Sequence, residues 1–162
     1  MDKPDRPKIS LESRAINLLS RREYSRKELA QKLKPHAETA EELALVLDKL
    51  STKNWLSDQR AAEQWVQSRA GRYGDRYLKQ LLQDKGIDKS TAMEALDQLE
   101  TNERQRALHV WEKKFGSLPQ TPQEKLKQMR FMASRGFSAR TIQQILAMTE
   151  DELGGDETGT ED

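Results

Sequence analysis

The chain has 162 residues and a net charge of +1, and 35% of its residues are hydrophobic against 34% that are charged. This balance is too polar for one thick core, so the composition favours a helix-rich array of small units with much solvated surface. Cysteine is absent, which excludes disulfides, thiolate metal sites and thiol chemistry and is compatible with a reducing cytoplasm, and no apolar run approaches the roughly 20 residues of a membrane span.

The first predicted module occupies residues 10–56 and follows a flexible N-terminus over residues 1–9. That N-terminus lacks the apolar segment of a secretory signal. Apolar residues at helical spacing predict a first helix over residues 11–23. Two shorter helices are expected to complete the module.

Capping signals mark the starts of those two helices. Ser25 and Glu28 form an S-x-x-E capping box, and Pro35 stops the helix that the box opens. Thr39 and Glu42 form a second capping box, from which we expect the third helix to begin.

The second predicted module occupies residues 57–102 and repeats this plan. Ser57 or Asp58 caps its first helix, the letters RYG interrupt that helix, and Asp75 begins a short one. Gly86 is expected in the left-handed conformation that ends a helix, because only glycine adopts it without strain.

The third predicted module occupies residues 103–149 and carries one additional helix, over residues 103–115. Thr121 followed by Pro122 is a strong helix start, since proline suits the first helical position. A short helix over residues 138–148 closes the fold. The segment from residue 150 to 162, which is rich in glycine and acids, is predicted to be a disordered acidic tail.

An internal repeat connects the three modules. The stretches REYSRKELAQKL, GRYGDRYLKQLL and RGFSARTIQQIL each have an aromatic residue at the third letter and a basic residue three positions later. The aromatic residues are Tyr24, Tyr73 and Phe137. A single module cannot bury its own apolar stripe, so neighbouring modules must stack. We therefore predict an all-α fold of three tandem three-helix modules in an elongated, curved array. The three aromatic residues are expected to be buried at the turns, and Trp55, Trp65 and Trp111 to lie in the core.

No enzyme is indicated. His36 and His109 lie far apart in different helical units, and Glu41 with Glu42 is explained by the favourable helix N-terminus. The letters GRYGD lack the lysine and the spacing of a phosphate-binding loop. We expect no cofactor, no metal and no small-molecule substrate.

The charge is unevenly distributed. The last thirteen residues hold seven acids and no Lys or Arg, so the remaining residues carry 28 basic against 20 acidic side chains, a net of +8. Such a basic body suggests a polyanionic partner, either nucleic acid or an acidic protein, and ordinary charge segregation is the alternative. The acidic tail either competes with DNA for the basic body or aids solubility.

Basic residues recur around the turn of each module, where stacking would align them as a discontinuous strip. A solvated charged face is the alternative reading of each residue taken alone. The candidate partner-binding residues of the second module are Arg69, Arg72, Arg76, Lys79 and Lys85. Their counterparts are Arg22, Arg26 and Lys27 in the first module and Arg135 and Arg140 in the third.

Three stretches of the sequence resemble the RecX family, the small regulators of the RecA recombinase. They are YSRKELAQKL, NWLSDQRAAEQWVQSRAGRYGDRYLKQLLQDKGI and KLKQMRFMASRGFSARTIQQIL, and the resemblance covers about residues 10–148. It implies three tandem three-helix repeats without enzymatic activity. It also implies binding in the groove of the RecA–DNA filament, in the cytoplasm, which limits filament growth, ATP hydrolysis and strand exchange. DNA itself is a further candidate partner. Two alternatives are a helical DNA-binding protein and a repeat scaffold for another acidic protein.

Overall fold

A computed structural model describes residues 8–148 and 150–153, and in that part of the chain it contains ten α-helices and no strand. The expected all-α fold class is therefore confirmed. One turn of 3-10 helix spans Lys34–His36. The helices are α1 (Leu11–Leu19), α2 (Arg26–Leu33), α3 (Ala40–Thr52), α4 (Asp58–Arg69), α5 (Asp75–Asp84), α6 (Lys89–Asp97), α7 (Glu103–Lys114), α8 (Pro122–Ser134), α9 (Ala139–Leu146) and α10 (Glu150–Leu153).

Side-chain caps begin several of these helices. The capping box of α2 is confirmed, because the Ser25 hydroxyl accepts the N–H of Glu28 at 3.1 Å and the Glu28 carboxylate accepts the N–H of Ser25 at 3.2 Å. The Thr39 hydroxyl likewise accepts the N–H of Glu42, but the Glu42 carboxylate accepts the N–H of Glu38 instead of closing a box onto Thr39. The second box is therefore only half formed.

One helix end differs from the prediction, and one helix cap was not predicted. Helix α1 ends at Leu19 and not at residue 23, and the chain tightens there, because the N–H of Arg21 donates to the carbonyl of Leu18, three residues back, at 3.1 Å. Asn102 caps α7 through a complete capping box with Gln105.

The described residues separate into two compact units, one within residues 1–65 and 82–95 and the other within residues 66–81 and 96–162. The core of the first unit includes Tyr24, Leu29 and Leu50, all buried. Burial of Tyr24 beside these leucines fits its predicted place at the turn between α1 and α2.

The core of the second unit is centred on Trp111, which is fully buried. Its indole N–H donates to the side-chain oxygen of Gln128 at 2.8 Å, and the Gln128 amide donates to the carbonyl of Ser117. Phe137 is buried in the same core, as predicted. Because buried indole N–H groups need a partner, Gln128 is the polar residue that allows the tryptophan to be enclosed.

The start of the predicted disordered tail is helical instead. Residues 150–153 form α10, and Leu153 packs against the core of the second unit. An apolar side chain at the end of the acidic EDEL run gives that turn something to bury. The rest of the predicted tail, residues 154–162, and most of the predicted flexible N-terminus lie outside the described residues.

Two tryptophans differ from the expectation of burial. Trp55 is 47% exposed; it follows Asn54, which has a positive φ of 61°, and the Lys53 ammonium lies 4.9 Å from the centre of its ring. Trp65 is half-buried. Tyr73, expected as a buried plug, is half-buried as well. Helical spacing therefore identified Trp111 correctly as a core residue but overestimated the burial of Trp55, Trp65 and Tyr73.

Candidate functional site

Several of the predicted partner-binding residues make ion pairs within the first unit. Arg22 pairs with Glu28 at 3.0 Å and its guanidinium lies 3.6 Å from the centre of the Tyr24 ring. Arg26 pairs with Asp48 at 2.6 Å, and the Lys85 ammonium lies 3.7 Å from the Glu28 carboxylate. These three cations hold parts of the unit together.

Glu28 is the centre of this network and is only 7% exposed. Besides Arg22 and the N–H of Ser25, the indole N–H of Trp65 donates to it at 3.1 Å. Burial raises the pKa of the Glu28 carboxyl, but the hydrogen bonds from Ser25, Arg22 and Trp65 outweigh it, so the pKa lies below its ordinary value. The carboxylate is thus charged and satisfied at neutral pH.

The turn after α5 also belongs to this network. The Ser25 hydroxyl donates to the carbonyl of Lys85 at 2.6 Å, and Gly86 has the positive φ, 75°, that the sequence predicted. A side chain on Gly86 would collide with the exposed Lys27, whose aliphatic stem lies directly against the glycine. Lys27 therefore covers this turn with its stem.

The basic residues of the second unit have a different environment. Arg72, Arg76 and Lys79 are exposed, and no carboxylate among the described residues lies within ion-pair distance of them. Arg76 and Lys79 are three residues apart on α5 and so share one face of that helix. Arg140 is exposed and Arg69 is half-buried.

Two turns of the repeat lie against each other in this unit. The N–H of Gly74 donates to the carbonyl of Arg135 at 2.8 Å, and the N–H of Arg76 donates to the carbonyl of Gly136 at 3.2 Å. This backbone pairing brings together the basic residues that the second and third modules carry at their turns. We call Arg72, Arg76 and Arg135 the basic turn surface.

Aromatic rings lie beside two of the three arginines of this surface, Arg72 and Arg135. The Tyr73 and Tyr77 rings stack with centres 3.8 Å apart. The guanidinium of Arg72 lies 5.8 Å from the Tyr73 ring centre and that of Arg135 lies 5.3 Å from it. Cation–π contacts orient a guanidinium without neutralising its charge. Arg72 and Arg135 are consequently oriented by the rings and remain able to bind an anion.

Glu103 supports the same turns and was not singled out from the sequence as more than a helix start. Its carboxylate accepts the N–H of Asp75 at 3.1 Å and the hydroxyls of Ser138 and Thr141 at 3.2 and 2.7 Å. The buried Arg106 pairs with Asp75. One acid in the first turn of α7 therefore stabilises the starts of α5 and α9 together.

Three further residues extend the basic turn surface and were also missed. His109, Lys113 and Lys114 on α7 line a cavity with Arg72, Arg135 and Phe131. The two lysines occupy the last turn of α7, a place where cations favour helix stability, so the sequence offered an ordinary reason for them. Only the packing of α7 shows that they face the arginines.

The described residues offer little to other kinds of site. They contain no cluster of three or more His, Asp or Glu side chains that could hold a metal ion. Within the same residues, every helix is too short or too polar to span a bilayer.

Comparison with known proteins agrees with the repeat. Models of the first, second and third three-helix domains of RecX match residues 13–50, 57–96 and 102–146. The chain is 46% identical to the regulatory protein RecX of Ralstonia pickettii, over 94% of this chain and 96% of that one. It is 45% identical to the protein of the same name from Chromobacterium violaceum, over 85% and 90% of the two chains.

Solved structures show the same fold. The crystal structure of RecX from Lactobacillus salivarius superposes with a TM-score of 0.74 at 24% identity, covering 88% of this chain and 94% of the other. Family models for all three domains and relatives above 40% identity over most of the chain lead to one conclusion: this chain belongs to the RecX family of regulatory proteins.

Proposed function

We propose that this chain binds the RecA–DNA filament and limits recombinase activity, acting in the cytoplasm and without catalysing a reaction itself. The observation that carries the proposal is membership of the RecX family together with the basic turn surface, whose three arginines pair with no described carboxylate. Lys79 lies three residues after Arg76 on α5 and extends the same exposed face of that helix.

The structure suggests an order among the ten candidate residues. Arg72, Arg76, Lys79, Arg135 and Arg140 are the strongest contacts in our proposal, since no described acid neutralises them. Arg22, Arg26 and Lys85 are assigned to internal support, because breaking their ion pairs would be needed before they could bind a partner. We rank Arg69 and Lys27 between these two groups of residues.

The mechanism we propose is electrostatic and steric. The basic turn surface contacts acidic groups in the filament groove, and the helical domains occupy space that the next recombinase subunit or the second DNA strand needs. Once one domain is bound, the effective concentration of the other domains at their own sites rises. Contacts that are weak individually therefore combine into tight binding. A scaffold for an unrelated acidic protein is the competing function.

Arg72→Ala with Arg76→Ala is expected to weaken inhibition of DNA-dependent ATP hydrolysis by the recombinase. Loss of two charged contacts of about 0.7 kcal/mol each raises the half-inhibitory concentration about tenfold. The intact protein should inhibit well below one molecule per recombinase subunit. The measurement is a titration of the full chain into a steady-state ATPase assay at fixed salt.

The matched control is Lys125→Ala with Lys127→Ala, which removes two exposed charges of α8 that are not part of the basic turn surface. It should inhibit like the intact protein. If the intact protein has no effect even in excess, filament regulation is wrong and the scaffold function is favoured. If both double variants lose inhibition equally, net charge and not the basic turn surface is responsible.

A further inference from the structure

The first unit contains a cationic cavity of its own, lined from α1 and from the end of α2. Its volume is about 280 Å³. The basic residues that line it are Arg14, Arg21, Lys32 and His36. The other lining residues are Ile9, Asn17, Leu18 and Leu33. This first-unit cavity therefore combines three permanent cations and an imidazole with aliphatic surface, and no carboxylate is among its described lining residues.

The cations of the first-unit cavity have no internal partner in the described chain. No described carboxylate lies within ion-pair distance of Arg14, Arg21 or Lys32. Arg14 is half-buried, so its guanidinium has given up part of its hydration without donating a side-chain hydrogen bond to any described residue. The cavity thus presents uncompensated positive charge, which favours an anionic partner.

Aliphatic surface lies between these charges. Arg14, Leu18 and Arg21 follow one another on one side of α1 and the turn after it, because residues four and seven positions apart share a helix face. Ile9 lines the same cavity and is 54% exposed, so a partner that covered it would remove apolar surface from water. The complementary partner carries an aliphatic side chain between two acids.

This lining distinguishes an acidic peptide from a nucleic acid. No aromatic ring is among the described lining residues, so bases find no surface on which to stack. A phosphodiester backbone has no aliphatic group to place against Ile9, Leu18 and Leu33. A peptide that contains leucine or isoleucine does, and its neighbouring carboxylates satisfy the cations.

Size and spacing agree with an extended peptide. Cavities that enclose a small-molecule ligand are typically about 300–1,000 Å³, so the first-unit cavity suits one inserted side chain. Seven residues of helix, the separation of Arg14 and Arg21, extend about 10 Å. In an extended peptide the second residue on each side of a central leucine points the same way as the leucine, and those two lie about 13 Å apart. Long glutamate and arginine side chains absorb the difference.

We propose that the first-unit cavity binds an acidic, extended peptide segment of a partner protein. The segment inserts one leucine or isoleucine beside Leu18 and places its flanking carboxylates on Arg14 and Arg21. This goes beyond the proposed function, whose strongest contacts all belong to the second unit. None of the residues that line the first-unit cavity is among the ten candidate residues derived from the sequence.

The test is a titration of the full chain with the end-blocked peptide EELEE at about 0.1 M salt, followed by proton–nitrogen correlation NMR. The largest shift changes are expected at the backbone amides of the cavity residues. Arg14→Gln with Arg21→Gln should raise the Kd about tenfold, since two charged contacts are lost. The peptide EESEE should bind roughly fivefold more weakly than EELEE, because serine gives up the aliphatic burial.

Two further variants separate local contact from charge and from folding. Lys53→Gln with Lys89→Gln removes equal charge from two exposed lysines of the first unit outside the cavity, and the Kd should change by less than about twofold. Arg21→Gln alone alters an exposed position and should still raise the Kd about threefold. Equal losses in the two double variants would show that diffuse charge binds the peptide.

Other results would also overturn the assignment. EESEE binding as tightly as EELEE would make the cavity a site for any anion. Tetrathymidylate, which carries a similar charge, would assign the cavity to nucleic acid if it shifted the same amides at lower concentration. An absence of shifts at the cavity amides would exclude the site. The assay contains no recombinase, so its failure leaves the ATPase result, and with it the proposed function, independently decided.

Discussion

Alanine in place of Gly74 is expected to lower the free energy of unfolding by about 3 kcal/mol, because the added methyl group has no space. Its position would be 2.5 Å from the carbonyl carbon of Gly136 and 2.6 Å from the nitrogen of Phe137, both backbone atoms that cannot swing away. The two turns must separate, and the hydrogen bonds from Gly74 and Arg76 across them are lost. Thermal unfolding followed by circular dichroism should show a decrease in Tm of roughly 6–12 °C.

Gly71→Ala is the matched control for this substitution. A methyl group at residue 71 would meet no atom within 4 Å, and Gly71 has no positive φ. Its effect on the free energy of unfolding should stay within about 0.5 kcal/mol. Equal stability of the two variants would mean that the turns of the second and third modules are not in contact in solution, and the basic turn surface would lose its structural basis.

The second large effect is expected from Glu28→Gln, which removes the charge from the centre of the first unit's network. The variant keeps the shape of the side chain but leaves Arg22 and Lys85 without their shared carboxylate. Those two side chains are 35% and 30% exposed, so water compensates in part, and we expect a loss of about 2 kcal/mol where a fully buried pair would cost more. Urea unfolding at pH 7 measures it.

Glu28 also predicts how stability responds to acid. Its folded pKa lies below the ordinary value of 4.5, so the stabilisation is complete at neutral pH and is lost as the pH falls through 4.5 towards the folded pKa. Glu28→Gln should therefore show a shallower loss of stability below about pH 5 than the unaltered chain. The pKa values of Glu12 and Asp88 are also lowered, by hydrogen bonds from Lys49 and Thr91. These two carboxyl groups therefore preserve part of the dependence of stability on pH in the variant.

Glu94→Gln is the control for both Glu28 measurements, since Glu94 is exposed on α6. It should change stability by less than about 0.5 kcal/mol and leave the acid response as it is. An acid response in Glu28→Gln as steep as that of the unaltered chain would contradict the role assigned to the network.

Helix starts are where the sequence alone was most informative. Ser25 with Glu28 and Thr121 with Pro122 were recognised as caps, and both begin helices as expected. Gly86 was recognised as left-handed. Each of these features depends on hydrogen bonds or torsion angles within about four residues, so the letters nearby contain the whole cause.

Whether a basic residue is neutralised by an ion pair is not determined by the residues next to it in the sequence. Arg22 and Arg135 occupy equivalent places, each two residues before the aromatic of its repeat. Both guanidinium groups lie near aromatic rings, but six residues later the first has Glu28 and the second has Thr141, so only Arg22 is paired with a described carboxylate. This difference was visible in the letters, but its meaning depended on whether those side chains would meet.

By itself, then, the sequence determined the all-α class, the repeated turn and most helix starts, because capping and apolar spacing act locally along the chain. Tertiary structure alone decided that the turns at Gly74 and Gly136 pair, that Lys113 and Lys114 join Arg72 around one cavity, and that Trp55 stays exposed. The physical reason is that charge neutralisation and burial depend on which distant segments pack together. That information appears only when the helices are assembled.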